Sequence, residues 1–212
     1  MIILGIESAI GGGSIALCKG DEIIASVSGT ESLSRAKELL PSIENLLVKT
    51  GITKGELGAI AASRGPGSFT GIRIGLSTAL GLSRGLNIPC IGVSLIDCIF
   101  EHYGPQAAVN IAIPMGRTDV AWRYFGELQS DETRVDDISV FLNTIEERQN
   151  AYALIHPDIL KTLPVNPAIT NQFQIIDKDL ASVVALQAPK WIDRTDLSPI
   201  YIHNQARTGS LF

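Results

Sequence analysis

Apolar residues fall in short blocks along this chain, each cut off by glycine or by polar residues. Residues 2–7 and 13–19 are near-continuous apolar runs on either side of Ala9-Ile10-Gly11-Gly12, and they predict two buried strands joined by a tight turn. A third strand is expected over 21–27. There Ile23, Ala25 and Val27 alternate with Glu22, Ile24 and Ser26, which makes one face mostly apolar. A helix starting at Ser32 or Ser34 follows, running to about Thr50. It carries Leu39, Leu40, Ile43, Leu46 and Leu47 on one side and is closed by Gly51. Residues 57–63 predict a strand, 70–86 a helix, 88–93 a strand and 95–103 a short helix. The order βββαβαβα belongs to a mixed sheet flanked by helices.

Gly104-Pro105 reads as a boundary. Beyond it, 108–113, 119–125 and 133–135 predict strands, 137–149 a helix, 152–156 a strand and 180–186 a last helix before Pro189. The stretch 163–170, with Pro164, Asn166 and Pro167, is expected to be loop. Three strands, helix, strand, helix is a shortened echo of the first half. The pattern therefore predicts an internal duplication, with units at 1–104 and 105–212, the second smaller and divergent.

One segment stands apart from this alternation. Arg64-Gly65-Pro66-Gly67-Ser68-Phe69-Thr70-Gly71 joins a predicted strand directly to a predicted helix. Glycines let another chain or a ligand come close. Pro66 stiffens the turn and favours an extended Gly65. Ser68 or Thr70 can cap the helix by accepting from an N–H of its first turn. The segment is not a phosphate loop of the Walker kind, because Ile72 and Arg73, not lysine, follow Gly71. The spacing of Gly65, Gly67 and Gly71 misses the dinucleotide fingerprint by one residue. Ser68 does not lie in a nucleophile elbow. Within the helix, Gly71, Gly75, Thr78, Ala79 and Leu82 place small residues along one stripe, and Gly81 and Gly85 form a second pair. Such a stripe either packs on its own sheet or admits a second backbone.

Composition narrows the field. Apolar residues make up 45%, as in ordinary water-soluble domains, and no run reaches the ~18–20 residues of a membrane helix. The net charge of −5, without a basic cluster, argues against a direct grip on a nucleic-acid backbone. Cys18, Cys90 and Cys98 are odd in number and widely spaced, which fits free thiols in a reducing cytoplasm. The opening Met1–Glu7 lacks a basic leader and reads as a first strand.

Residues 64–75, RGPGSFTGIRIG, resemble the signature of the bacterial TsaB (YeaZ) family. Ile3-Leu4-Gly5-Ile6-Glu7-Ser8 with Gly13–Leu17 is similar to that family's first hairpin. Leu39-Leu40-Pro41-Ser42-Ile43 is similar to its first long helix, Pro89–Ser94 to its next strand and turn, and Pro199-Ile200-Tyr201-Ile202 to its closing stretch. The likeness is good from residue 2 to about 95 and weak from 105 to 198. It implies the actin-like ATPase fold, built from two ribonuclease H-like halves. It also implies a cytoplasmic, non-catalytic subunit that pairs with TsaD in making threonylcarbamoyladenosine in tRNA, with the ATPase TsaE joining them. The same surface is expected to pair with its own copy when TsaD is absent, and tRNA is expected to be reached only through the complex. The interface so implied comprises Arg64, Gly65, Gly67, Ser68, Phe69, Thr70, Gly71, Arg73, Gly75, Thr78, Ala79 and Leu82, with the first helix beside them.

Glu7, Ser8 and Gly12 sit where actin-like kinases hold phosphate and Mg²⁺, and so mark a vestigial nucleotide site; the alternative is a tight hairpin needing glycine. The hairpin reading is preferred, because no matching glycine pair follows the strand at 108–113. Neither a metal site nor a cofactor is expected: His102, His156 and His203 are scattered, and no nucleophile–base set is apparent. A small actin-like phosphotransferase or ATPase using Glu7, and a glycoprotease-like peptidase, remain the alternatives.

Overall fold

The computed structural model of the chain describes residues 1–28, 36–104, 108–126, 132–147, 152–161, 172–193 and 196–202. The expected helix start at Ser32 or Ser34, the helix end at Gln149, the loop at 163–170, Pro105 and His203 lie outside the described residues.

Two units make up the chain, the first comprising Met1–His102 with Lys178–Ile200 and the second chiefly Tyr103–Asp177. In the first, β1 (Ile2–Glu7), β2 (Ser14–Lys19) and β3 (Glu22–Ser28) form an antiparallel meander. α1 (Ala36–Thr50) leads to β4 (Leu57–Ser63), parallel to β1, and α2 (Phe69–Leu86) leads to β5 (Cys90–Val93), parallel to β4. α3 (Leu95–Tyr103) follows. The sheet order is β3-β2-β1-β4-β5.

β1, β2 and β4 are continuously apolar because both of their faces are covered. On one face Leu4, Ile6, Ile15, Leu17 and Ile60 pack against Leu39, Ile43, Leu46 and Leu47 of α1 and Ile72, Leu76 and Ala79 of α2. Leu40, expected on this side, stands at the edge of the stripe and is exposed. Gly51 closes α1 with a φ of 70°. The other face carries α6 (Leu180–Gln187), which packs on β1, β2 and β4. Gly5 of β1 makes this possible: a Cβ there would overlap the Ala181 carbonyl oxygen and come within 2.9 Å of the Ala185 Cβ. Ser14 Oγ accepts from Ala181 N at 2.9 Å and pins the helix to β2. The last helix, read from the sequence as part of the second half, thus belongs with the first sheet.

A bulge between Leu17 and Cys18 alters the expected face of β3. Leu17 opposes Ala25 and Cys18 opposes Ile23, leaving Ile24 as the extra residue. Ile24, Ala25 and Val27 pack on the core. Ile23, expected beside them, shares the face of Cys18 and is exposed.

The second unit repeats the plan. β6 (Val109–Met115), β7 (Asp119–Phe125) and β8 (Arg134–Asp137) form a meander, then come α4 (Ile138–Glu147), β9 (Tyr152–Ile155), α5 (Pro157–Leu160) and β10 (Phe173–Ile175). The order β10-β9-β6-β7-β8 is that of the first sheet, with β6 taking the place of β1. Between β9 and β10, where the first unit has the 18-residue α2, the described residues hold the four residues of α5. Phe141, Ile145, Trp122 and Ile155 form the core of the second unit. Asn110 in β6 is fully buried, opposite Tyr124 and Ala153, and neither its Nδ2 nor its Oδ1 finds a partner among the described residues.

Candidate partner interface

β4 ends at Ser63, and from there the backbone is pinned at Arg64, Gly65 and Ser68 on its way into α2. Ser63 Oγ accepts from Gly65 N at 3.1 Å, Arg64 N donates to Val93 O at 2.8 Å, and Leu95 N donates to Gly65 O at 2.9 Å. Gly65 does not take the extended conformation expected before a proline. Its φ is 106°, and a Cβ there would lie 2.7 Å from Ile72 Cδ1 and 2.8 Å from Ile200 O. Ser68 N donates to Ala9 O at 3.0 Å. Ser68 is the cap of α2, accepting from Gly71 N at 3.4 Å, while Thr70 lies in the exposed first turn.

The elbow rests on the turn after β1, so the two regions singled out in the sequence form one structure. Ser8 Oγ donates to Gly71 O at 2.8 Å. A Cβ on Gly71 would overlap Ser8 O, and one on Gly75 would lie 2.5 Å from Ser8 Oγ. One on Gly67 would lie 2.6 Å from the Ala9 Cβ. Glu7, 1% exposed, holds the turn in shape: its Oε1 accepts from Ala9 N at 2.6 Å and from Ile10 N at 3.1 Å. Burial pushes its carboxyl up to about 8, outweighing the two backbone N–H groups that favour the anion. Gly11, Gly12 and Gly13 all have positive φ, and Gly13 N closes the turn on Ile10 O at 2.8 Å. The Ser8 hydroxyl and the Glu7 carboxyl are thus engaged inside the fold. Among the described residues no group of three His, Cys, Asp or Glu side chains is placed to hold a metal ion. None of the described helices is long and apolar enough to cross a membrane.

The small-residue stripe divides by side. Gly71, Gly75 and Ala79 face inward and are buried, whereas Thr78 and Leu82 are half-buried. The outward face is a different row at four-residue spacing: Phe69, Arg73, Ser77, Gly81 and Gly85, all exposed. The Arg73 guanidinium lies 3.8 Å over the Phe69 ring, which is 48% exposed. A Cβ at Gly81 or Gly85 would meet nothing within 4 Å. Sequence reasoning noted those two glycines but not their row with Phe69 and Arg73; counting back by fours from Gly81 would have found it. α1, packed beside α2, exposes Leu40 and Val48. Arg64 is turned away from solvent and bonds to Asp196 of its own chain.

Comparison with known proteins now bears on this surface. The model of the family described as TsaD, tRNA N6-adenosine threonylcarbamoyltransferase, matches residues 31–140. The tRNA threonylcarbamoyladenosine biosynthesis protein TsaB of Escherichia coli is 28% identical over 160 residues, 76% of this chain and 64% of that one. The protein of the same name from Buchnera aphidicola of Schizaphis graminum is 38% identical over 132 residues, 62% of each chain. The chain therefore spans just under two thirds of these relatives. Among solved structures, YeaZ from Pseudomonas aeruginosa superposes with a TM-score of 0.64 at 20% identity, covering 95% of this chain and 99% of that one. The duplicated five-stranded sheets are those of the actin-like ATPase fold.

Proposed function

We propose that the chain, which belongs to the TsaB (YeaZ) family, is a non-catalytic subunit that binds and supports a TsaD-type threonylcarbamoyltransferase during threonylcarbamoyladenosine modification of tRNA. The observation that carries this reading is the outward face of α2. Glycine within a helix costs about 1 kcal/mol relative to alanine. At Gly71 and Gly75 the close approach of Ser8 accounts for that cost. At Gly81 and Gly85 nothing inside the described chain does, and an approaching backbone outside it would. Phe69, stiffened by Arg73 at the N-terminal end of the same row, supplies an aromatic anchor of the kind that dominates interfaces.

The partner surface is thus Phe69, Thr70, Arg73, Thr78, Gly81 and Leu82, flanked by Leu40 and Val48 of α1. Gly65, Gly67, Gly71, Gly75 and Ala79 support it from inside. Without its partner the same face pairs with a second copy. The ATPase TsaE joins the pair, and tRNA is reached only through the complex, in keeping with the net charge of −5. The setting is the cytoplasm.

Calorimetric titration of a TsaD-type protein tests the reading. Phe69→Ala and Gly81→Leu are each expected to weaken binding about tenfold or more. Gly81→Leu should do so without lowering the melting temperature, since leucine favours the helix. Wild-type affinity in both variants would sink it.

A further inference from the structure

The segment Asp196–Ile200 runs back to the elbow, and its anchors converge on Arg64. Ile200 N donates to Arg64 O at 2.7 Å. Arg64 Nη1 donates to the Asp196 carbonyl oxygen at 2.8 Å and to its carboxylate Oδ2 at 2.5 Å. The second carboxylate oxygen of Asp196 accepts from Ser198 N at 2.8 Å, which turns the strap toward Ile200. Two glycines clear its path. A Cβ on Gly92 would sit 2.8 Å from Asp196 O, and one on Gly65 would sit 2.8 Å from Ile200 O.

We propose that Arg64 and Asp196 are positioning residues that latch this strap onto the elbow, so that the strap sets how the N-terminus of α2 is presented to its partner. The inference rests on the reading of that helix as the docking face. Gly65-Pro66-Gly67 links β4 to α2 with no side chain able to anchor it. Its position depends on bonds made by its neighbours: Leu95 N to Gly65 O, Ser68 N to Ala9 O, and the strap to Arg64. The first comes from buried Leu95 and the second from the turn after β1, whereas the third depends on an exposed carboxylate and is open to change. Asp196 is 58% exposed, so salt screens the pair. The Nε–H of Arg64 is buried and has no acceptor among the described residues, so the closed latch is incompletely satisfied. A strap held by two backbone contacts to Arg64, one exposed carboxylate and an incompletely bonded guanidinium can release without unfolding the sheet beneath.

Amide hydrogen exchange on the whole chain, followed by titration with a TsaD-type protein, tests this on Asp196→Ala and the conservative Asp196→Glu. In Asp196→Ala the amides of Ile200 and Ser68 are expected to exchange about threefold faster or more. Those of β1 should be unchanged and the melting temperature nearly so. Affinity for the partner should shift by about threefold or more, and Asp196→Glu should restore both. Unchanged exchange at the elbow, a uniform rise across the sheet, or a faster elbow with unaltered affinity would each overturn the latch. The exchange measurement needs no partner: failure of the wild-type chain to bind a TsaD-type protein would refute the functional reading while leaving the strap's hold on the elbow measured.

Discussion

Replacing Glu7 with Gln is expected to remove a loss of stability that the wild-type chain suffers as pH rises. Among the described residues the buried Glu7 carboxyl meets two backbone N–H donors, both on Oε1, and burial lifts it from 4.5 to about 8. The folded chain therefore holds a proton on Glu7 that the unfolded chain gives up between those values. Where the folded state binds more protons, stability falls with rising pH. Its contribution is thus complete below about pH 4.5 and lost by the time the pH passes about 8. At about 1.4 kcal/mol per pH decade the whole loss is about 5 kcal/mol, of which about 3 has gone by pH 7. Entry of water around the ion lowers the upper end of that figure. Gln keeps the acceptor for Ala9 and Ile10 and carries no charge. Urea unfolding of both proteins between about pH 5 and pH 9 should show curves that nearly coincide at the acid end and diverge upward, with the Gln variant more stable. Cys18, Cys90 and Cys98, also lifted by burial, lower stability toward pH 9 as the unfolded thiols ionise, but they do so equally in both proteins, so the difference between the curves reports Glu7. Parallel curves, or a wild type that gains stability relative to Gln at high pH, would refute the reasoning.

Two further perturbations separate inward from outward glycines and test the second unit. Gly71→Ala, whose methyl would overlap Ser8 O, should destabilise the chain by about 2–3 kcal/mol. Gly81→Ala, with open space at that position, should stabilise it by about 0.5–1 kcal/mol; equal effects in thermal unfolding would mean that α2 is oriented differently. Asn110→Leu removes a buried amide whose two polar atoms have no partner among the described residues and should raise stability by about 1–2 kcal/mol in chemical denaturation; a loss would mean that the amide has a partner.

Much of the first sheet was legible because its strands are apolar runs bounded by glycine, and burial on both faces needs nothing subtler. β3 was misread at Ile23, because alternation tells which residues share a face only until a bulge intervenes, and the bulge depends on register against Leu17 and Cys18. α6 was recognisable as a helix. Its apolar sequence on every side predicts burial but not which sheet buries it, and the answer, Gly5 beneath Ala181 and Ala185, lies 176 residues away at the nearer contact. The three residues of β10 and the single turn of α5 are too short to carry a period. At the elbow, spacing correctly assembled Gly71, Gly75 and Ala79 into a stripe. A stripe does not state which way it faces, and here the strand beneath claims it. The pairing of Arg64 with Asp196 spans 132 positions and leaves no local trace.

The central claim is that the outer face of α2 meets a TsaD-type subunit. Its most direct test is the light-scattering mass of this chain mixed with the TsaD-type protein of the same organism on a sizing column. The account predicts a one-to-one complex that replaces a homodimer, and its loss with Gly81→Leu. Two separate peaks, persisting when ATP and TsaE are present, would contradict it.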